Sequence, residues 1–233
     1  MAGCKKKETP APPKTYLKRI TSGNFSYDYF YDQQNRLQRI DYTDASVSQS
    51  MSIVNYDAAG NIVTYKTRTT GVSGVTIYTS TYDTQNRPVS VESRDSATNS
   101  TASVTSYSYA GNKTTRTVTA AGGSTISRAE FTYNAAGNMI LEERFNGAGV
   151  KTSSSTFTAY DDKLSPETFN PHFLRNGIDY KNNPTAYTFT NQVSGASTNF
   201  SISYTYNSDN YPDQITYNGS TSPVVYNYTY EKR

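Results

Sequence analysis

Polar and apolar residues alternate with a period of two along most of the chain. At 24–32, Phe25, Tyr27, Tyr29 and Tyr31 share one face while Ser26 and Asp28 take the other, the pattern of a half-buried strand. It returns at 199–207 through Phe200, Ile202, Tyr204 and Tyr206, and at 224–231 through Val224, Tyr226, Tyr228 and Tyr230. A recurring turn joins such stretches. Tyr31-Asp32-Gln33-Gln34-Asn35, Tyr56-Asp57-Ala58-Ala59-Gly60, Tyr82-Asp83-Thr84-Gln85-Asn86 and Tyr133-Asn134-Ala135-Ala136-Gly137 are close copies, and Tyr206-Asn207-Ser208-Asp209-Asn210 is a looser one.

The turn has a mechanism. Asp32, Asp57, Asp83, Asn134 and Asn207 carry short side chains that accept a backbone N–H two residues on. Asn35, Gly60, Asn86, Gly137 and Asn210 are of the types that tolerate positive φ. These ten residues are read as structural hairpin tips. The tyrosine before each tip marks a period near 25, which holds two strands and two connections. The whole predicts an all-β fold: antiparallel up-and-down hairpin repeats of about sixteen strands, forming a barrel-like or strongly curved sheet. Pro88, Pro212 and Pro223 fall at strand starts, where a missing N–H is tolerated.

One interval of 46 residues breaks the period, between Tyr160 and Tyr206. It marks an insertion at 161–184 in a single β domain spanning 15–233. Ser165 reads as a helix cap. Asn170-Pro171-His172-Phe173-Leu174-Arg175-Asn176-Gly177 reads as one helical turn, with Asn170 as cap and Gly177 as stop. A long connection in a repeat array is either functional or a plug.

Composition shifts the picture of the core. Only 34% of residues are apolar, yet 22 are Tyr and none is Trp. The interior must be built from amphipathic rings, whose hydroxyls need partners when buried. The net charge of +3 is accounted for by residues 1–14, where four lysines face one glutamate. The body is neutral, so no nucleic-acid partner is expected.

Cys4 is the only cysteine, and no intrachain disulfide is possible. Met1-Ala2-Gly3-Cys4 resembles the end of a bacterial lipobox, and residues 5–14 form a Lys- and Pro-rich spacer of extended character. The expectation is a lipid on Cys4, membrane attachment through it, and a place in the cell envelope on the outer membrane.

The Tyr-Asp-x-x-Gly-Asn unit resembles the YD repeats of RHS-type proteins, which form β-sheet shells. Ala2-Gly3-Cys4, the tyrosine-rich hairpins, Tyr160-Asp161-Asp162-Lys163 and Asn182-Asn183-Pro184 together resemble a Bacteroides-type lipoprotein family of unknown function and porin-like fold. That resemblance implies an antiparallel barrel-like fold and carries no activity. A membrane-inserted barrel is disfavoured, because 113–117 and 151–156 hold only Lys, Thr, Ser and Arg where a lipid-facing strand needs an apolar face.

Candidate chemistry is sparse. A single histidine, His172, excludes His-based metal clusters and triads as ordinary options. No phosphate loop, nucleophile elbow or CxxC occurs. No catalytic residue, metal or cofactor is assigned. Asp161 and Asp162 are neighbours, which face opposite ways in a strand, and a turn-capping role is the favoured one. Glu142, Glu143 and Arg144 read as a solvated face. The insertion supplies the candidate binding residues His172, Phe173, Arg175 and Tyr180, with Asp161 and Asp162 at its start. The favoured function is a non-enzymatic envelope module that binds a glycan or a surface protein. Two alternatives stand: a polysaccharide hydrolase using Asp161 or Glu167, and a purely structural shell or spacer.

Overall fold

The computed structural model describes residues 13–170, 180–219 and 222–233. Its strands are β1 Thr15–Ser22, β2 Phe25–Tyr31, β3 Leu37–Thr43, β4 Ser48–Tyr56, β5 Ile62–Thr69, β6 Thr76–Tyr82, β7 Pro88–Asp95, β8 Thr101–Ala110, β9 Lys113–Ala120, β10 Thr125–Tyr133, β11 Met139–Asn146, β12 Lys151–Leu164, β13 Asn182–Asn191, β14 Ser197–Tyr206, β15 Pro212–Asn218 and β16 Val224–Lys232. Each pairs antiparallel with the next, and β1 pairs with β16, closing a sixteen-stranded barrel. Lys14 and Arg233 exchange backbone hydrogen bonds of 3.0 and 3.1 Å at the seam. Closure leaves no edge open to another chain.

The tips form as the side chains dictate. Asp57 Oδ1 accepts the N–H of Ala59 at 2.9 Å and of Asn61 at 2.8 Å. Asp32, Asp83, Asn134 and Asn207 make the same pair of bonds, two and four residues on. The fourth residue is left-handed in every copy, with φ of 61° at Asn35, 87° at Gly60, 59° at Asn86, 83° at Gly137 and 62° at Asn210. The device also serves the opposite end of the barrel, where Asn146 accepts from Ala148 and Val150, both at 3.0 Å. Gly60 has open space where a Cβ would stand, so only backbone strain opposes a side chain there. Gly60→Val is expected to lower unfolding stability by about 1–2 kcal/mol. Gly60→Asn should recover most of it, and equal denaturation midpoints for all three proteins would refute the left-handed requirement.

Strict alternation fails just after the tips, and in β1 as well. Leu37 and Ile40 both point inward, three residues apart, as do Leu17 and Ile20, Ile62 and Tyr65, Pro88 and Val91, and Pro212 and Ile215, all ten buried. A register shift accompanies the spacing, between Phe30 and Tyr31, Tyr56 and its neighbour Asn55, Thr81 and Tyr82, and Thr205 and Tyr206. An extra residue bulges at each site, and a bulge takes a carbonyl out of the ladder. Buried carbonyls need a donor. The tyrosine of the next tip supplies it: Tyr31 Oη donates to the Leu17 carbonyl at 2.8 Å, Tyr82 to Ile62 at 2.7 Å, Tyr109 to Pro88 at 2.8 Å and Tyr230 to Pro212 at 2.7 Å. Tyr56 to Leu37 and Tyr160 to Met139 belong to the same series. The repeating tyrosine is therefore a tie between successive hairpins.

The inner face is aromatic and aliphatic, in two clusters. One spans β1–β8 around Leu17, Ile40, Tyr29 and Tyr65; the other joins Ala129, Phe131, Met139 and Phe157 across β10–β12. The outer face carries Ser and Thr with ion pairs such as Arg19–Asp28, Arg39–Asp41, Arg94–Glu92 and Arg128–Glu130. A lipid-facing barrel has the reverse arrangement. No helix among the described residues is long and apolar enough to cross a membrane.

Candidate functional site

The insertion sits inside a turn. Asp161 follows Tyr160 as Asp57 follows Tyr56, and Asp161 Oδ1 accepts the Lys163 N–H at 2.9 Å. The second bond, given elsewhere by the residue four on, comes here from the Asn183 N–H at 3.1 Å. Pro184 then takes the place of Leu37 or Ile62, and its carbonyl accepts the Tyr204 hydroxyl at 2.6 Å. The chain has thus been lengthened within one tip while the capping of that tip is kept. β12 runs to Leu164 and β13 begins at Asn182, so the connection proper is 165–181. Asn183, 1% exposed, clamps its two ends: its amide donates to both Asp161 oxygens and to the Leu164 carbonyl, each at 3.3 Å.

From this tip the chain enters the lumen. A 3-10 turn at Pro166–Phe169 starts at Ser165, whose hydroxyl accepts the Glu167 N–H at 3.3 Å, and ends at Asn170. The helical turn expected at 170–177 falls mostly on 171–179, outside the described residues. Phe169 packs on Tyr211 and Tyr230, with ring centroids 4.8 and 5.7 Å away. Tyr29 Oη, on β2, donates to Asn170 Oδ1 at 3.0 Å. The segment therefore reaches from the β12–β13 tip across to β2.

Above it lies a cavity of about 540 Å³. Glu167 and Asn170 form part of its wall, with Tyr29, Tyr65, Tyr78, Tyr226 and Tyr228 around it. Tyr65 and Tyr78 stand opposite each other on β5 and β6 and stack at 4.4 Å, 1° from parallel. Tyr27, Tyr42, Gln49 and Thr67 lie at the strand ends opposite the tips. Tyr27 and Gln49 are exposed, so the cavity opens there. Burial pushes the hydroxyls of Tyr29, Tyr65 and Tyr228 well above the ordinary tyrosine range, and the nearby Glu167 carboxylate adds to this at Tyr29 and Tyr228. The wall thus presents neutral hydroxyl donors, apolar ring faces and a carboxylate.

A second chamber of about 230 Å³ adjoins it and shares Tyr65 and Tyr78. Ser93, Ser103, Thr105, Tyr107 and Arg116 line it. Arg116 on β9 is paired in register with Tyr107 on β8 and Ala129 on β10, and Ala129 is paired with Arg144 on β11. Glu142 pairs with Phe131 and faces inward; it is 6% exposed and ion-paired with Arg144 at 2.5 Å. The solvated face expected at 142–144 therefore divides: Glu143 points out to Lys151, while Glu142 and Arg144 belong to the lumen. The bulge after the Asn134 tip causes this, because it turns the third residue beyond Met139 inward. The signal was present in the sequence, since Glu142 stands where Ile40, Tyr65, Val91 and Ile215 stand in other repeats.

The expected site residues separate. Cys4, His172, Phe173 and Arg175 lie outside the described residues. Tyr180 packs on Phe157 and Tyr160 at 5.4 and 6.2 Å, and its hydroxyl is pushed well up by burial. Asp161 is engaged in the turn and accepts from Tyr206 Oη as well. Asp162 points to solvent with its side chain 87% exposed and Lys163 at 3.5 Å. The lumen residues Tyr29, Tyr65, Tyr78, Arg116 and Glu142 were not among the candidates.

No protein-family model matches the sequence, and neither does any curated protein. Among solved structures, a porin-like protein from Bacteroides vulgatus is similar over 94% of this chain and 99% of its own, at 10% identity and a TM-score of 0.49. A porin-like protein from Bacteroides uniformis covers 94% and 96%, at 12% identity and 0.43. The Photorhabdus luminescens Tc holotoxin pore is similar over 82% of this chain and 12% of its own, at 12% identity and 0.29.

Proposed function

We propose that the protein is a non-enzymatic binding module of the cell envelope, held by a lipid on Cys4, whose lumen takes a small glycan. The cavity carries this reading. Its volume falls within the range of small-molecule sites, roughly 300–1,000 Å³. Flat tyrosine faces offer stacking surfaces for a sugar ring. Glu167 and Asn170 at one end, and Gln49 and Thr67 at the open end, supply polar groups along its wall that can fix orientation. The polar exterior, Pro-rich spacer and Cys4 agree with a water-facing domain tethered at a membrane.

A hydrolase would need a second carboxylate beside Glu167. Asp161, the partner considered for it, has its oxygens occupied by Lys163, Asn183 and Tyr206 in the turn. Titrating the full-length protein with a panel of mono- and disaccharides by calorimetry tests the proposal. Saturable heats are expected, and Tyr42→Ala at the rim should weaken binding roughly tenfold, equivalent to about 1.4 kcal/mol, with circular dichroism unchanged. Absence of any heat across the panel would sink the glycan reading. Release of new reducing ends, lost in Glu167→Gln, would replace it with the hydrolase.

A further inference from the structure

We propose that the larger lumen cavity is a receptor for an ammonium group, with Glu167 as counter-ion and tyrosine rings as walls, so that the sugar it takes is an amino sugar with a free amine. This rests on the glycan reading of the same cavity and names its ligand class. Among the described residues seven tyrosines line the cavity, Glu167 is its one charged group, and no lysine, arginine or histidine lines it. Arg116 belongs to the smaller chamber, in the fields of Tyr107 and Glu142. An aromatic wall with a single carboxylate suits an organic cation, because the face of a tyrosine ring is negative and attracts positive charge. The polarity of the cavity orients the ligand: ammonium toward Glu167, hydroxyls toward Gln49 and Thr67.

The carboxylate is held in place. Glu167 Oε2 accepts the Asn170 side-chain amide at 3.0 Å, and Asn170 Oδ1 accepts the Tyr29 hydroxyl at 3.0 Å, which ties the group to β2. A carboxylate offers about four lone-pair sites, more than the one Asn170 takes. Among the described residues no ion pair involves Glu167. Its negative field spreads over the lumen: burial raises the hydroxyls of Tyr29, Tyr180, Tyr217 and Tyr228, and Glu167 adds to this at each. At the open end Tyr27 and Tyr42 face each other across β2 and β3, with centroids 4.9 Å apart. Phe25 links them to Tyr226, 6.0 Å from Tyr27 and 5.8 Å from Tyr226. The Tyr42 hydroxyl donates to Asp44 at 3.1 Å, which sets a second carboxylate beside the mouth. Among the described residues, each guanidinium stacked on a ring stands over a ring outside this cavity.

Calorimetry of the full-length protein with glucosamine, glucose and tetramethylammonium, at low salt and about pH 6, tests this. At that pH the amine of glucosamine is charged, as an α-amino group is. Glucosamine is expected to bind about tenfold tighter than glucose, which carries a hydroxyl in place of the ammonium. Glu167→Gln should abolish that difference, and an undiminished preference for glucosamine in the folded variant overturns the proposal. If Glu167→Gln does not fold, the wild-type protein at about pH 9 decides: the amine is then largely neutral, and a preference as large as before overturns the proposal. Equal affinity for the two sugars at the lower pH overturns it too, leaving a neutral-sugar site. Tetramethylammonium binding lost in Glu167→Gln, with neither sugar bound, keeps the ammonium receptor and overturns the glycan reading. Silence from all three ligands overturns both.

Discussion

Above about pH 10 the protein is expected to lose stability steeply and to unfold within one or two further pH units. Tyrosines in an unfolded chain ionise near pH 10. Burial raises the hydroxyls of Tyr29, Tyr65 and Tyr107 in the fold, and these three rings are 6–7% exposed. The sign follows directly. Above the unfolded value the unfolded chain has released protons that the fold still holds, so stability falls as pH rises; below it, the full contribution is present. Each such group costs about 1.4 kcal/mol per pH unit in that window, so three cost about 4 kcal/mol. A typical domain has roughly 5–15 kcal/mol in total. Ultraviolet absorbance of tyrosinate and circular dichroism, followed together through an alkaline titration, would check this. The bulk of the tyrosinate signal should appear with loss of the sheet. Gradual ionisation of nearly all 22 tyrosines near pH 10 with the sheet intact would defeat the prediction.

Phe131→Ala is expected to cost about 3–5 kcal/mol, as for other fully buried aromatic residues. Phe131 is 1% exposed and sits in the second cluster with Met139, Phe157 and Ala129. Its register partners are Glu142 on β11 and Thr114 on β9. Truncation removes apolar contact and also opens space beside a buried carboxylate, and neighbouring strands of a closed barrel have little freedom to collapse inward. Urea unfolding should show a lower midpoint with an unchanged slope, and the melting temperature should drop by roughly 10 °C. A loss below about 1 kcal/mol would mean that the lumen rearranges to fill the gap.

Much of the architecture was readable from side-chain chemistry. Asp or Asn followed three residues later by Gly or Asn reports a turn because both bonds of the cap and the left-handed residue lie within five positions. The strand count and the antiparallel, up-and-down order follow from the spacing of those turns. The tyrosine before each tip was visible as a marker, but its partner, the carbonyl one hairpin back, is about twenty residues away and belongs to a bulge that no alternation rule signals. The same bulge misplaced Glu142. A strand read with period two puts it on the face opposite Met139, whereas the extra residue brings both inward. The insertion shows in the sequence as an interruption of the period, yet its role as a lengthened tip depends on Asn183 returning to Asp161, a bond across 22 residues.

The sequence by itself determined the repeat, the tips, the polar and apolar faces and the ring-built interior, because each rests on interactions among residues close in the chain. Tertiary structure decided that the sheet closes, that the 165–170 segment crosses the lumen, and that Tyr65, Tyr78, Arg116, Glu142 and Glu167 line it. Those outcomes depend on strand stagger accumulated around sixteen strands and on bulges that rotate side chains between faces. Closure depends on β1 finding β16, a pairing between the two ends of the described chain that no local pattern specifies.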